Sequence, residues 1–419
     1  MTSSATTSNF RSKLVDVLAS YGLCCVLLLL LFVLTFFGTL EQTELGLYDV
    51  QKKYFESLFL VHWLGDLVPV PLPGAYLVLI VLGVNLVLGG VVRMRKTKAT
   101  LGVLVTHAGI LILLLAGFVK LKFSNEGHLT LFEVGRVPDA RMTRSDEYVS
   151  YHEWEIAIWD GAQERDVKEW IIPDSEFLSL GEGSRTFTSP DLPFDLEVRR
   201  VLRNCQALPK GPMWKAAGPV IDGYALRELE LARENEQNVA GLYATIRTSS
   251  GEETQAILWG GQRYPLAVRA GGRTWAIDLR KRRFKMPFAV ALDKFTRELY
   301  PGTNMPKVFK SEVTVYEEGA PPTKHLIEMN EPLRHRGLVL FQASWGPANA
   351  RPGDPLFSTF AVVRNPSDYW PLYACIVISV GMLLAFGRKL VASIRTQAKQ
   401  RRAAEQTEGP SQAPAKVTA

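Results

Sequence analysis

Leu101–Val119 reads LGVLVTHAGILILLLAGFV, a run with no formal charge and one histidine, His107. As a helix, a run of this length matches the hydrocarbon thickness of a bilayer. Three more stretches have the same character: Tyr21–Thr39, Ala75–Val92 and Tyr369–Gly387. A long polar stretch, residues 120–368, separates the third from the fourth. The expected fold class is therefore a membrane protein of α+β type, with four transmembrane helices and a large β-rich extracytoplasmic domain between helices three and four. The expected divisions are 1–20 (cytoplasmic N-terminus), 21–39, 75–92, 101–119 and 369–387 (spans), 40–74 (external loop with an interfacial helix), 93–100 (cytoplasmic link), 120–368 (extracytoplasmic domain) and 388–419 (disordered cytoplasmic tail).

Charge placement orients these spans. Arg11 and Lys13 precede the first. Arg93, Arg95, Lys96 and Lys98 fill the link between the second and third. Arg388, Lys389, Arg395, Lys399, Arg401 and Arg402 follow the fourth. Basic flanks mark the cytoplasmic side, and four spans satisfy all three clusters with both termini inside. The clusters thus read as topology signals rather than a nucleic-acid surface. The first span lacks a following small-x-small cleavage site, so it reads as a retained helix and not a signal peptide. No transit-like leader precedes it, which favours a bacterial plasma membrane over a thylakoid.

Four cysteines, Cys24, Cys25, Cys205 and Cys375, contain no C-x-x-C and no C-x-x-C-H. The chain is thus neither thioredoxin-like nor itself a c-type cytochrome. Only Cys205 lies in the polar stretch, which excludes an intramolecular disulfide there and reads as a buried structural thiol. G-x-S-x-G, H-E-x-x-H and phosphate-binding glycine loops are also missing, so no catalytic residue is assigned.

Within the polar stretch, Trp154–Trp159, Phe194–Val198, Leu242–Arg247, Trp275–Leu279 and Ser311–Tyr316 alternate roughly in hydropathy between Gly- and Pro-containing turns. They predict antiparallel strands, arranged as two stacked sheets. Tyr224–Glu236 is rich in Leu, Ala, Arg and Glu and predicts a helix. The aromatic stretch Tyr54–Leu64 predicts an amphipathic helix ended by Pro69, Pro71 and Pro73. Gly83, Gly89 and Gly90, facing Gly102 and Gly109, predict close packing of the second and third spans.

An ionisable side chain in a span is costly and marks a functional candidate. His107 shares a helical face with Leu111, Leu114 and Phe118, an apolar wall with one nitrogen ligand that suits haem. The other reading is a structural histidine hydrogen-bonded to Asn85 or Thr106. Asn85 reads as an interhelical hydrogen-bond partner. A second axial ligand has to come from elsewhere, and His62, next to Trp63, and His128, just outside the third span, are the local options. His128, His152, His325 and His335 read as surface or strand residues.

Three regions resemble the ResB (CcsB) family of system II cytochrome c biogenesis. They are Leu101–Leu111, the late segments Pro306–Val313, Asn330–Leu333 and Gly337–Gly346, and Val362–Pro366 leading into the fourth span. Phe341 and Trp345 stand where tyrosines are common in the family. The resemblance implies a subunit, co-catalytic or non-catalytic, of a cytochrome c synthase (haem lyase) complex. It would act with a ResC/CcsA-type membrane protein to deliver haem b, held only transiently, to apocytochrome c. His107 would be an axial ligand, and the external domain would act as a chaperone or cap. A membrane-anchored sensor and an ABC-exporter subunit are the rival readings. The short tail weighs against the first, and the position of the large domain after the third span weighs against the second.

Overall fold

The computed structural model describes residues 13–64, 67–162, 167–215, 217–302, 306–347, 350–351 and 353–407. Arg11, like the rest of residues 1–12, lies outside them. The described chain divides into two compact units. One comprises residues 13–39, 51–123 and 366–407; the other comprises Leu40–Val50 and Ser124–Asn365.

The first unit holds helices long and apolar enough to cross a membrane, starting at Tyr21, Ala75, Leu101 and Trp370. The Ser20 hydroxyl caps the first, accepting from Leu23 N at 3.1 Å. That helix runs on through Val50 and is kinked at Gly46, where φ is 78°. Residues 40–50 are therefore helical and not loop. A Cβ at Gly46 would run into the Arg233 carbonyl, so both conformation and space demand glycine.

Past a π-helical turn at Gln51–Phe55, the expected interfacial helix is instead a hairpin: Phe59–Leu64 pairs antiparallel with Val68–Pro73. Pro69, Pro71 and Pro73 share one parity. In a two-stranded ribbon every second N–H points away from the partner, so these prolines sacrifice no ladder bond.

The glycine packing also differs from expectation. Gly102 and Gly109 lie against the fourth span: Gly102 abuts the Gly381 carbonyl, and Gly109 abuts Ile378 and the Ala374 carbonyl. Gly381 in turn abuts Thr106. The second span meets the third through Gly83, against Leu114, and Gly90, against His107. The fourth helix extends to Thr407, well beyond Gly387. Residues 388–407 are rich in Arg, Lys, Ala and Gln, which favour helix, so the tail up to that point is helical. Residues 408–419 lie outside the described set.

The second unit is β-rich. Its axis is a pair of long antiparallel strands, Arg144–Asp160 (17 residues) and Arg273–Leu299 (27 residues). Where Ile156, Ile158, Ile277 and Leu279 point inward, this pair packs on a four-stranded sheet. That sheet is ordered Glu253–Trp259, Gly241–Thr248, Phe194–Leu202, Ser184–Phe187, and it contributes Leu196, Val198, Leu242 and Ile246. Farther along, the same pair joins Pro306–Tyr316, Thr323–Glu328, Asn125–Phe132, Phe357–Arg364 and Leu338–Gly346 around Leu131, Tyr148, Val290, Leu292, Val313, Leu340 and Phe360. Each fully buried aliphatic side chain contributes about 1.5–3 kcal/mol, so both cores are substantial. The stacked sheets thus hold, with one modification: two cores share two strands. Tyr224–Glu228 is a strand paired with Cys205–Pro209, where a helix was expected. Its Ala225 and Leu226 are buried, and tertiary burial overrides local propensity.

Candidate functional site

His107 lies in the helix Leu101–Phe123 and is half-buried. Its Nδ1 is 2.9 Å from the carbonyl oxygen of Gly90. Among the described residues no protein group bonds Nε2. Neither expected structural partner is used. Asn85 Nδ2 donates to the Leu18 and Ser20 carbonyls at 2.7 and 3.0 Å, and the Thr106 hydroxyl donates to Gly102 O at 3.0 Å. Leu114, on the same face as His107, is occupied by Gly83 of the second span, while Phe118 is exposed.

An imidazole with one nitrogen bound by a backbone carbonyl and the other unpartnered is the arrangement that metal-ligating histidines adopt. These residues therefore fit one axial ligand to haem iron. Sequence reasoning missed Gly90 as the partner. The Gly89-Gly90 pair was the available signal, but a main-chain acceptor leaves no side-chain mark.

His62 belongs to the hairpin strand Phe59–Leu64. Its Nδ1 is 2.5 Å from the Tyr54 hydroxyl, and its ring stacks on Phe37 with centroids 4.3 Å apart. His62 and His107 are not brought together. His62 precedes the start of the second span at Ala75, whereas Gly90 lies about 20 Å along that span.

The other histidines fall in the β-rich unit. His152 stacks on Tyr48 (3.8 Å), and its Nδ1 is 3.2 Å from Asn235 Oδ1. His128 has a buried Nδ1 without a hydrogen-bond partner among the described residues. Burial lowers its pKa, and nearby Lys281 lowers it further while Glu236 opposes. Beside them the long strands are out of step: Val149 pairs Arg283 and Trp154 pairs Lys281, so Ser150–Glu153 stand opposite Arg282 alone. Bulges of this kind re-aim side chains. Lys281 Nζ donates to the Tyr151 carbonyl at 2.9 Å and lies 4.4 Å over Trp154. Burial brings its pKa down to about 8, against the opposing pull of Glu236 and Asp174. His335 and Arg336 both bond Glu317, whose carboxyl they hold near 2, Arg336 contributing first. His325 lies 3.0 Å from the Thr323 hydroxyl.

Cys205 is buried, and burial pushes its thiol up to about 12. It is unsuited to exchange with apocytochrome thiols, since the thiolate is the reactive form.

The late segments that carry the resemblance are packed into the second core. Ser311, Gln342 and Ser358 form a hydrogen-bonded cluster. Ser311 Oγ donates to Gln342 Oε1 at 2.6 Å, and Gln342 Nε2 donates to Ser358 Oγ at 2.8 Å and Ser344 O at 3.0 Å. Ser311 and Ser358 are fully buried. The cluster pins a bulge between Gln342 and Ser344. Just beyond it Trp345 lies between Phe295 and Arg297, at 5.9 and 4.4 Å. Phe341 is exposed.

Comparison with known families matches residues 266–354 to the ResB-like family, a stretch that runs from the strand Leu266–Ala270 to the end of Leu338–Gly346. No curated protein matches the chain. That strand-rich segment is what this chain shares with the ResB-like family.

Proposed function

We propose that this chain is the ResB-type subunit of a membrane cytochrome c assembly complex, with His107 as a transient axial ligand to haem b. One observation carries the reading: the unpartnered Nε2 of a histidine set in an apolar span, in a chain with a ResB-like segment. The iron, when bound, supplies the coordination bond and a redox state that imidazole ligation tunes. His107 holds the group and the surrounding apolar helices exclude water. The second ligand comes from a ResC/CcsA-type membrane partner, because His62 is remote from His107. The β-rich unit lies outside the membrane and receives apocytochrome c.

The orientation follows from charge. Lys13, Arg93–Lys98 and Arg388–Arg402 mark the cytoplasmic face. The ion pair between Asp16 and Arg93 joins residues 13–18, which are helical, to the 93–100 link, as expected if both lie on that face.

The test is a visible spectrum of the complex purified in detergent, wild type beside His107→Ala. The Soret band is expected to be lost or shifted in the variant. A band identical in both would place haem elsewhere and make His107 structural.

A further inference from the structure

The second span changes its winding near its end. Ala75–Asn85 is α-helical, but Leu86–Val92 is a π-helix that closes with Arg93 N on Leu88 O at 3.0 Å. Isolated π turns are rare and concentrate at functional sites. The chain then leaves the helix, so the Gly90 carbonyl is among the terminal acceptors without an in-helix donor. Its partner is His107 Nδ1, on the neighbouring span, at 2.9 Å. At this position a Cβ would lie 2.6 Å from Nδ1 and 3.0 Å from Cε1, so any side chain displaces the imidazole.

We propose that the π-helical end of the second span is a positioning device for His107, in which the Gly90 carbonyl fixes the Nδ1–H tautomer and aims the Nε2 lone pair at a haem iron. The inference rests on the reading of His107 as a ligand. A carbonyl oxygen can only accept, so in the neutral ring the proton sits on Nδ1 and the lone pair on Nε2. Donation to the carbonyl also holds the ring plane. Gly90 is thus a positioning residue that acts through His107 without touching the ligand.

The experiment is ring ¹⁵N–¹H correlation on the haem-free, histidine-labelled full chain in detergent, with His107 assigned by loss of its signals in His107→Ala. The Nδ1–H tautomer is expected to dominate. A dominant Nε2–H tautomer overturns the proposal, and this readout needs no Gly90 variant to fold. Haem titration followed at the Soret band is the second arm. Gly90→Ala is expected to weaken binding about tenfold, in the range for loss of an outer hydrogen bond to a metal ligand, and to shift the band. Unchanged affinity and band in a folded Gly90→Ala overturn the positioning role. The two failures are separable. Binding that survives His107→Ala unchanged defeats the ligand reading itself, whereas binding lost in His107→Ala but intact in Gly90→Ala defeats only the positioning role.

Discussion

Lys281 shows how a single residue couples this fold to pH. Its amine is buried beside Trp154 and bonded to the Tyr151 carbonyl, and burial lowers its pKa to about 8 from the usual 10.5. Below about pH 8 the amine is charged in both folded and unfolded chains, and the folded chain carries the full cost of burying that charge. Above about 10.5 it is neutral in both, and the cost is gone. Lys281 therefore makes the β-rich unit more stable as pH rises from about 8 to 10.5. Thermal unfolding of wild type and Lys281→Met at a series of pH values in that window measures the effect. The wild type should gain on the variant as pH rises, and parallel curves would show that the amine is not suppressed. Residue identity was only partly legible in advance. His107 stood out because a polar ring in an apolar run is conspicuous. Lys281 was invisible as a titrating group, because its depressed pKa comes from burial beside Trp154, its register partner on the neighbouring strand, and the Tyr151 carbonyl, which only tertiary packing sets.

At the scale of elements, the strand Leu338–Gly346 owes its path to a buried polar cluster. Gln342 is the hub that satisfies both Ser311 and Ser358. Replacing it with alanine leaves the buried Ser311 and Ser358 hydroxyls only each other, at 3.0 Å, and removes their bonds to the amide, a loss of about 1–3 kcal/mol. The bulge before Trp345 should relax with it. Chemical denaturation gives the first quantity, and tryptophan fluorescence against Trp345→Phe isolates the second. A Gln342→Ala protein of wild-type stability would mean that water replaces the amide without loss. The span helices were legible because hydropathy alone sets them. The hairpin Phe59–Pro73 was not, since three prolines in a row of alternate positions read as a helix stop until their shared parity on an edge strand is seen. Tyr224–Glu228 was misread for the opposite reason: its residues favour helix, and only the pairing with Cys205–Pro209 makes it a strand.

At the scale of the whole molecule, the shared strands decide what can fold alone. The ResB-like match spans 266–354, yet that segment is not a self-sufficient body. It holds Arg273–Leu299 without the partner strand Arg144–Asp160, and Val268, Trp275, Ile277 and Leu279 without the facing Leu196, Val198, Leu242 and Ile246. It also lacks Asn125–Phe132 and Phe357–Arg364, which complete the second core with Leu131 and Phe360. A chain cut to 266–354 would expose long unpaired strand edges and an incomplete part of each core, the condition for aggregation. Expressed alone, it should be insoluble or show no cooperative thermal transition by circular dichroism, whereas 124–365, which carries both long strands, should melt in a single transition. A sharp melt from 266–354 would mean that its own six strands close a core without Arg144–Asp160. The sequence likeness concentrated there would then mark an independent module, and the shared strands would be mere continuity of chain.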